Sequence, residues 1–526
     1  MAYQSLKFII FSVGIVFLYY VLGRKRQLWV LALANLIFFA VAGIEYLPFI
    51  LATMIATFFA GKKMGKIYEA ADGKLAECKS PAEKKEVRLK AKEEAKSALM
   101  KSFVVAIGLL VVCKYTLFLV KNINGILGLV NIPQIPLFKM ILPIGISFYT
   151  FMALSYVLDI YWKRYKAENN FLIYAVYLSY FPHVVQGPID RFNEFRDQVK
   201  DGIAYDYKNI TFGAQLALWG LFKKLVIADR LGIFVDGVLG QWNECNGIYL
   251  IIAIAIYSIQ IYTDFSGCID IVTGVSEMFG IHLRKNFNHP YFSKTMGEFW
   301  RRWHISLQEW FKDYIYFPVS SSSFVKKKKK ELKAKYEGRT ADLFTACFPI
   351  LVVWLVTGIW HGADWKFVVW GLFHATLLIS SNVFEPWTVK MTEKLHIKTE
   401  SFGWHLVQMT RTYILCCIGR VFFRATSIVD AFGIFGRIFT ATSLNMTMTE
   451  VLSFGLGKRN ILMAIIAIIV LWIVDILQEK MSVREALAKQ NMILRWVIIF
   501  AGLFAVIIFG IYGPGYDASS FIYEQF

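Results

Sequence analysis

The chain has 526 residues, 57% of them hydrophobic and 16% aromatic, and its mean hydropathy is +0.49. That much apolar surface excludes an ordinary soluble domain and calls for a bilayer as solvent, with membrane lipids as neighbours. The formal charge of +19 raises nucleic acid as a partner, but the Lys and Arg residues gather in short runs between apolar segments, the pattern of cytoplasmic loops, which argues for no nucleic-acid role.

In chain order, the opening residues MAYQSLK lack a basic start and a small-residue cleavage site, so the first apolar run, about 8–23, reads as a retained span. It ends at Arg24, Lys25 and Arg26, which sets that end in the cytoplasm. Residues 27–60 hold two short spans that turn near Gly43 and Glu45. Residues 61–101 form a charged cytoplasmic loop, rich in Lys, Glu and Ala, that reads as a solvated helical excursion: either a spacer or a docking surface. Spans at about 102–120 and 138–160 follow, the second loosened by Pro143 and Gly145 and carrying Asp159, which either lines a cavity or snorkels to the interface.

Residues 171–186 are apolar but cut short by Pro182, His183 and Gly187-Pro188, which predicts a short or re-entrant element, with His183 either packed or facing a substrate path. An amphipathic interfacial stretch continues to about 208. The next spans are 211–228 and 248–266, the latter expected to break at Asp264-Phe265-Ser266-Gly267. Asp264 and Asp270 need compensating partners in apolar surroundings, either Arg284, Arg301 or Arg302, or the acyl donor itself.

Asn288, His289 and Pro290 make a polar bend that suits a water-filled funnel. It leads into Gly297–Pro318, read as one amphipathic helix with Phe299, Trp303, Ser306 and Trp310 on one side and Arg301, Gln308 and Lys312 on another. His304 sits among its tryptophans. The basic segment 319–342 reads as a disordered cytoplasmic loop. Spans at 343–360 and 365–384 flank His361, and 405–424, 461–478 and 494–513 complete the set, with 428–456 mixed and partly interfacial and the tail 514–526 outside. The expectation is an all-α polytopic protein with roughly eleven to thirteen crossings and no internal repeat. The seven cysteines show neither metal spacing nor a disulfide framework, and Cys416 and Cys417 read as lipid-facing or packed.

A histidine at membrane depth is costly unless it is used or hydrogen-bonded, so His304 and His361, in TGIWHGADW, are candidate site residues. The segments LPIGISFYTF (142–151), FPHVVQGPIDRF (181–192), YTDFSGCIDI (262–271), NFNHPYFSKTMGEFWRRWHISLQEWFKDYIYFP (286–318), GIWHGADW (358–365) and FFRA (422–425) occur in that order. With them the chain resembles the membrane-bound O-acyltransferase family, chiefly its branch of bacterial alginate O-acetyltransferase subunits and more distantly the teichoic-acid D-alanylation proteins. The resemblance implies one membrane domain over 1–526, in a bacterial plasma membrane, with re-entrant and interfacial helices around a central funnel and 286–318 as its active-site region.

Moving an acyl group from a thioester to a hydroxyl needs a base, a donor for the oxyanion, and exclusion of water. The resemblance makes His361 the base, and His304 a hydrogen-bonding group, since many family members carry Asn there. Asp264, Asn288, Arg301, Arg302, Trp303 and Trp360 are the expected supporting residues of the funnel. It also implies no bound cofactor, acetyl-CoA or another acyl thioester as donor, a polysaccharide as final acceptor and an extracellular SGNH-type transferase as partner. In the tail FIYEQF, Tyr523 is either a transient acyl carrier or an interfacial anchor. No metal is expected, and no GxSxG elbow, phosphate-binding glycine loop or HEXXH is present. The alternatives are D-alanyl transfer to teichoic acid, acylation of a lipid, or, in another class, a transporter or glycan-export channel.

Overall fold

The computed structural model describes residues 2–138, 140–336 and 338–512. The regular structure among them is helical, and one isolated bridge, Phe287 to Trp303, is the extent of strand pairing. Ten helices are long and apolar enough to cross a membrane, and Leu6–Val21 and Ile146–Tyr161 are apolar but shorter. The protein is all-α and multi-pass. Its contacts divide it into two compact units, one comprising residues up to Gly213 with Val272–Arg284, the other Ala214–Ile271 with the chain from Lys285 onward.

The first unit holds α1 (Leu6–Val21), α2 (Gln27–Ala42), α3 (Leu47–Glu77), α4 (Pro81–Leu129), α5 (Ile146–Tyr161), α6 (Phe171–Ser179) and α7 (Phe192–Val199). Helices run through 61–101, the charged loop expected as a solvated helical excursion, and reverse at Cys78–Ser80, where Ser80 and Glu83 form a reciprocal capping box. In the fully buried His183, Nδ1 lies 3.0 Å from Asp190 Oδ2 and Nε2 3.0 Å from the Tyr177 carbonyl. Two fixed partners make it a packing element. Asp159 pairs with Arg164 at 2.9 Å.

Two helices carry the chain from one unit into the other: α8 (Tyr207–Leu221), continued by a π-helical segment Phe222–Ala228, and α10 (Gly247–Met278), with α9 (Asp229–Leu239) between them. Contrary to expectation, α10 does not break at Asp264–Gly267 but runs unbroken for 32 residues. Gly267 serves close packing instead: a Cβ at Gly220 would stand 2.5 Å from its carbonyl oxygen. The buried carboxylates take lysines rather than arginines. Lys224 Nζ lies 2.7 Å from Asp264 and 2.8 Å from Asp229, and Lys223 Nζ 2.8 Å from Asp270. A π-turn holds more residues per turn than an α-helix, so consecutive side chains splay less and both lysines reach α10.

The rest of the second unit comprises α11 (Met296–Arg302), α12 (Ile305–Phe311), a π-helical turn Lys312–Tyr316, α13 (Phe317–Ser320), α14 (Ser323–Lys335), α15 (Thr340–His361), α16 (Trp365–Lys394), α17 (Phe402–Arg424), α18 (Ile428–Thr440), α19 (Met448–Ser453), α20 (Lys458–Gln478), α21 (Val483–Ala488) and α22 (Met492–Phe509). Two expectations change here. The single amphipathic helix of 297–318 is broken at Trp303-His304, where His304 takes a left-handed conformation with φ 50°. The basic segment expected as disorder contains α14, capped by the Ser322 side chain, because long lysine side chains keep good helix propensity when their charges reach water.

Candidate active site

Three stretches build the site, all within the second unit. The first is the break between α11 and α12. Asn288 N–H donates to Arg302 O, and Ile305 N–H to Asn286 O, each at 2.9 Å, so a strand-like crossing pins the turn on which His304 sits. Asn286 Oδ1 accepts from Ser306 N–H at 3.1 Å and from Ser306 Oγ at 2.8 Å, and lies 3.1 Å from His304 Nδ1. A backbone N–H only donates, so Asn286 must present its oxygen here. His304 therefore carries its proton on Nδ1 and its lone pair on Nε2. Burial pushes the His304 imidazole down to about 3, so it stays neutral at physiological pH.

The second stretch is the end of α15 and the start of α16. Gly358 brings these helices together, since a Cβ there would meet the Phe367 carbonyl at 2.5 Å. His361 ends α15, and Asp364 caps α16 by accepting from Lys366 N–H at 2.9 Å. The His361 ring stands edge-on to Trp360 and Trp370, both at 4.8 Å, and to Phe423 at 5.4 Å. Trp360 also comes within 6.2 Å of the His304 ring. The third stretch is α17, which supplies Cys416, Arg420 and Phe423.

His304 and His361 line the same cavity, walled by Trp300, Trp303, Trp370 and Phe423. Both are buried, at 1% and 6% exposure. Trp303 and Trp360 of the expected supporting set are therefore at the site. The others are not brought there. Asp264 is held by Lys224, Asn288 accepts from Lys285 Nζ at 2.8 Å, Arg301 is exposed, and Arg302 pairs with Glu298 at 3.0 Å and Glu479 at 2.6 Å. Tyr523 lies outside the described residues. Among the described residues, no group of three His, Cys, Asp or Glu is arranged to hold a metal.

Sequence reading passed over three residues. Asn286, two positions before the asparagine it selected, is the one that orients His304. His374 and Arg420 also line the cavity, from spans read as plain membrane crossings. Their signal was present as a polar group inside an apolar helix.

A neutral, oriented imidazole beside a second histidine in an apolar, buried cavity suits proton transfer and orientation of a hydroxyl away from bulk water. Comparison with known proteins agrees. Residues 168–334 match the model of the membrane-bound O-acyltransferase family. Relatives include a probable alginate O-acetylase AlgI of Pseudomonas syringae pv. tomato, 29% identical over 80% of this chain and 72% of that protein. The peptidoglycan O-acetyltransferase of Helicobacter pylori is 29% identical over 77% of this chain and 72% of its own length. The teichoic acid D-alanyltransferase of Bacillus subtilis is 28% identical over 49% of this chain and 63% of its own length. With ten apolar helices long enough to cross a bilayer, the chain carries a membrane-bound O-acyltransferase family domain over residues 168–334 and is a multi-pass O-acyltransferase of a bacterial membrane.

Proposed function

We propose that the protein passes an acetyl, or similarly short acyl, group from a cytoplasmic thioester, acetyl-CoA, toward O-acetylation of a cell-surface or exported polysaccharide. The observation that carries the reading is the placement of His304 and His361 on one buried cavity, joined to relatives that are named as O-acetylating enzymes. His361 takes the proton of the acceptor hydroxyl as its oxygen bonds to the acyl carbon. The C–S bond then breaks, and the thiolate leaves with the proton returned by the imidazolium. His304, neutral and held by Asn286, accepts a hydrogen bond at Nε2 and so orients the incoming hydroxyl rather than shuttling its proton. The acceptor at this step is the phenol of Tyr523, which hands the group to an extracellular SGNH-type transferase acting on the glycan.

The test is a chromosomal His361→Ala strain, with ester-linked acetate and D-alanine released from its surface polymers by mild alkali. Loss of acetate with D-alanine unchanged supports the reading. Loss of D-alanine favours the reaction named for the Bacillus relative, and polymers with full ester content refute acyl transfer. Tyr523→Phe with normal polymer acetylation rules the relay out.

A further inference from the structure

Arg420 projects from α17 into the cavity that holds His304 and His361. It is 7% exposed, and among the described residues it makes no hydrogen bond or ion pair; its Nε is buried with no acceptor. The guanidinium lies over the Trp303 indole, 4.4 Å from the ring centroid. The ionisable groups around it include the hydroxyls of Tyr291, Tyr257 and Tyr413, the thiols of Cys416 and Cys417 and the His374 ring, none of them a carboxylate. Other buried cations of this unit are matched, Lys223 and Lys224 by carboxylates and Arg230 by the carbonyls of Val226 and Phe509.

A buried cation without an anion is unfavourable, and an aromatic face offsets only part of the lost hydration. Such a group is poised for negative charge that arrives or develops beside it, and in a water-excluded site that attraction is strong. Acyl transfer develops such a charge on the carbonyl oxygen as the acyl carbon turns tetrahedral.

We propose that Arg420 is a catalytic residue of the acyl transfer, its guanidinium donating to the acyl oxygen in the cavity shared by His304 and His361. This rests on the acyltransferase reading given above. The hydroxyl oxygen bonds to the carbonyl carbon as its proton passes to His361, the carbonyl π pair moves onto the oxygen facing Arg420, and that pair returns as the C–S bond breaks. Arg420 stays protonated throughout and exchanges nothing. Trp303 positions it by holding the guanidinium plane.

The experiment uses the full chain in lipid nanodiscs and follows release of the CoA thiol from acetyl-CoA for Arg420→Gln, Arg420→Lys and Arg420→Ala beside His361→Ala. Removing one oxyanion donor lowers kcat by about 10²–10³-fold. Arg420→Gln and Arg420→Ala should show that loss with KM changed less than about threefold. Added guanidinium ion should restore turnover in Arg420→Ala and not in His361→Ala, a response that a purely structural role does not produce. Arg420→Lys keeps the charge and the helix, and serves if the shorter variants do not assemble. In it, partial activity supports the proposal and wild-type activity overturns a need for the guanidinium fork. Variants with wild-type kcat, or a loss confined to KM, overturn the proposal while an inactive His361→Ala leaves the acyltransferase reading standing. An active His361→Ala removes that reading instead.

Discussion

Asn286→Leu removes the acceptor that orients His304 while keeping the branching and heavy-atom count of the side chain. The Asn286 Oδ1 serves Ser306 N–H, Ser306 Oγ and His304 Nδ1 within 3.1 Å. The hydroxyl can rotate to another acceptor, but the backbone N–H and the ring N–H are left buried and unmet, at about 1–3 kcal/mol each. Against this, Asn286 Nδ2 is itself buried without a partner, and leucine removes that penalty of similar size. The net destabilisation is about 1–3 kcal/mol, read as a lower melting temperature in detergent. A His304 ring free to change tautomer and tilt should lose on the order of 10²-fold in turnover, the effect of an ångström-scale misplacement, followed as CoA thiol release. Because Asn286 acts through His304, Asn286→Leu in a His304→Asn background should cost far less than in the wild type. Wild-type melting and turnover in Asn286→Leu, or additive losses in the double variant, would refute the reasoning.

Three more outcomes follow from the same geometry. Burial holds His304 down to about 3 against about 6.5 in an unfolded chain, so the unfolded state takes up a proton first. The neutral ring's contribution to stability is whole above about pH 6.5 and drains as pH falls toward 3. The melting temperature of the wild type should fall faster than that of His304→Asn between pH 7.5 and 5, and parallel curves would contradict this. Lys224→Met removes the cation that lies 2.8 Å from Asp229 and 2.7 Å from Asp264 in a side-chain environment at most 9% exposed; about 3–5 kcal/mol should be lost, read as folded yield and melting temperature, and adding Asp264→Asn should recover part of it. Gly220→Ala would press a methyl to 2.5 Å from the Gly267 carbonyl, forcing α8 from α10 at about 1–3 kcal/mol, read as a lower melting temperature, and unchanged melting would contradict this.

The sequence by itself determined the class of the protein and most of its helices, because crossing a bilayer demands a long apolar run whose backbone bonds to itself, and that demand is local. The break carrying His361 was legible for the same reason: glycines and a helix-capping aspartate sit beside it in the chain. Both imidazoles stood out as polar groups in apolar surroundings. Tertiary structure alone decided the partners of those groups. Asp264 finds Lys224 rather than an arginine, and α10 stays intact at a glycine that looked like a hinge, because the neighbouring helix supplies both the cation and the carbonyl that the glycine admits. His304 breaks a helix that periodicity drew as continuous, where the distant Asn286 and Asn288 supply partners for the backbone and side-chain groups at the break. Arg420 and His361, about 60 residues apart in the chain, share a cavity only once α15, α16 and α17 have packed. Hydropathy and spacing report what each segment needs, whereas which segment meets the need depends on contacts that loop lengths and side-chain volumes settle together.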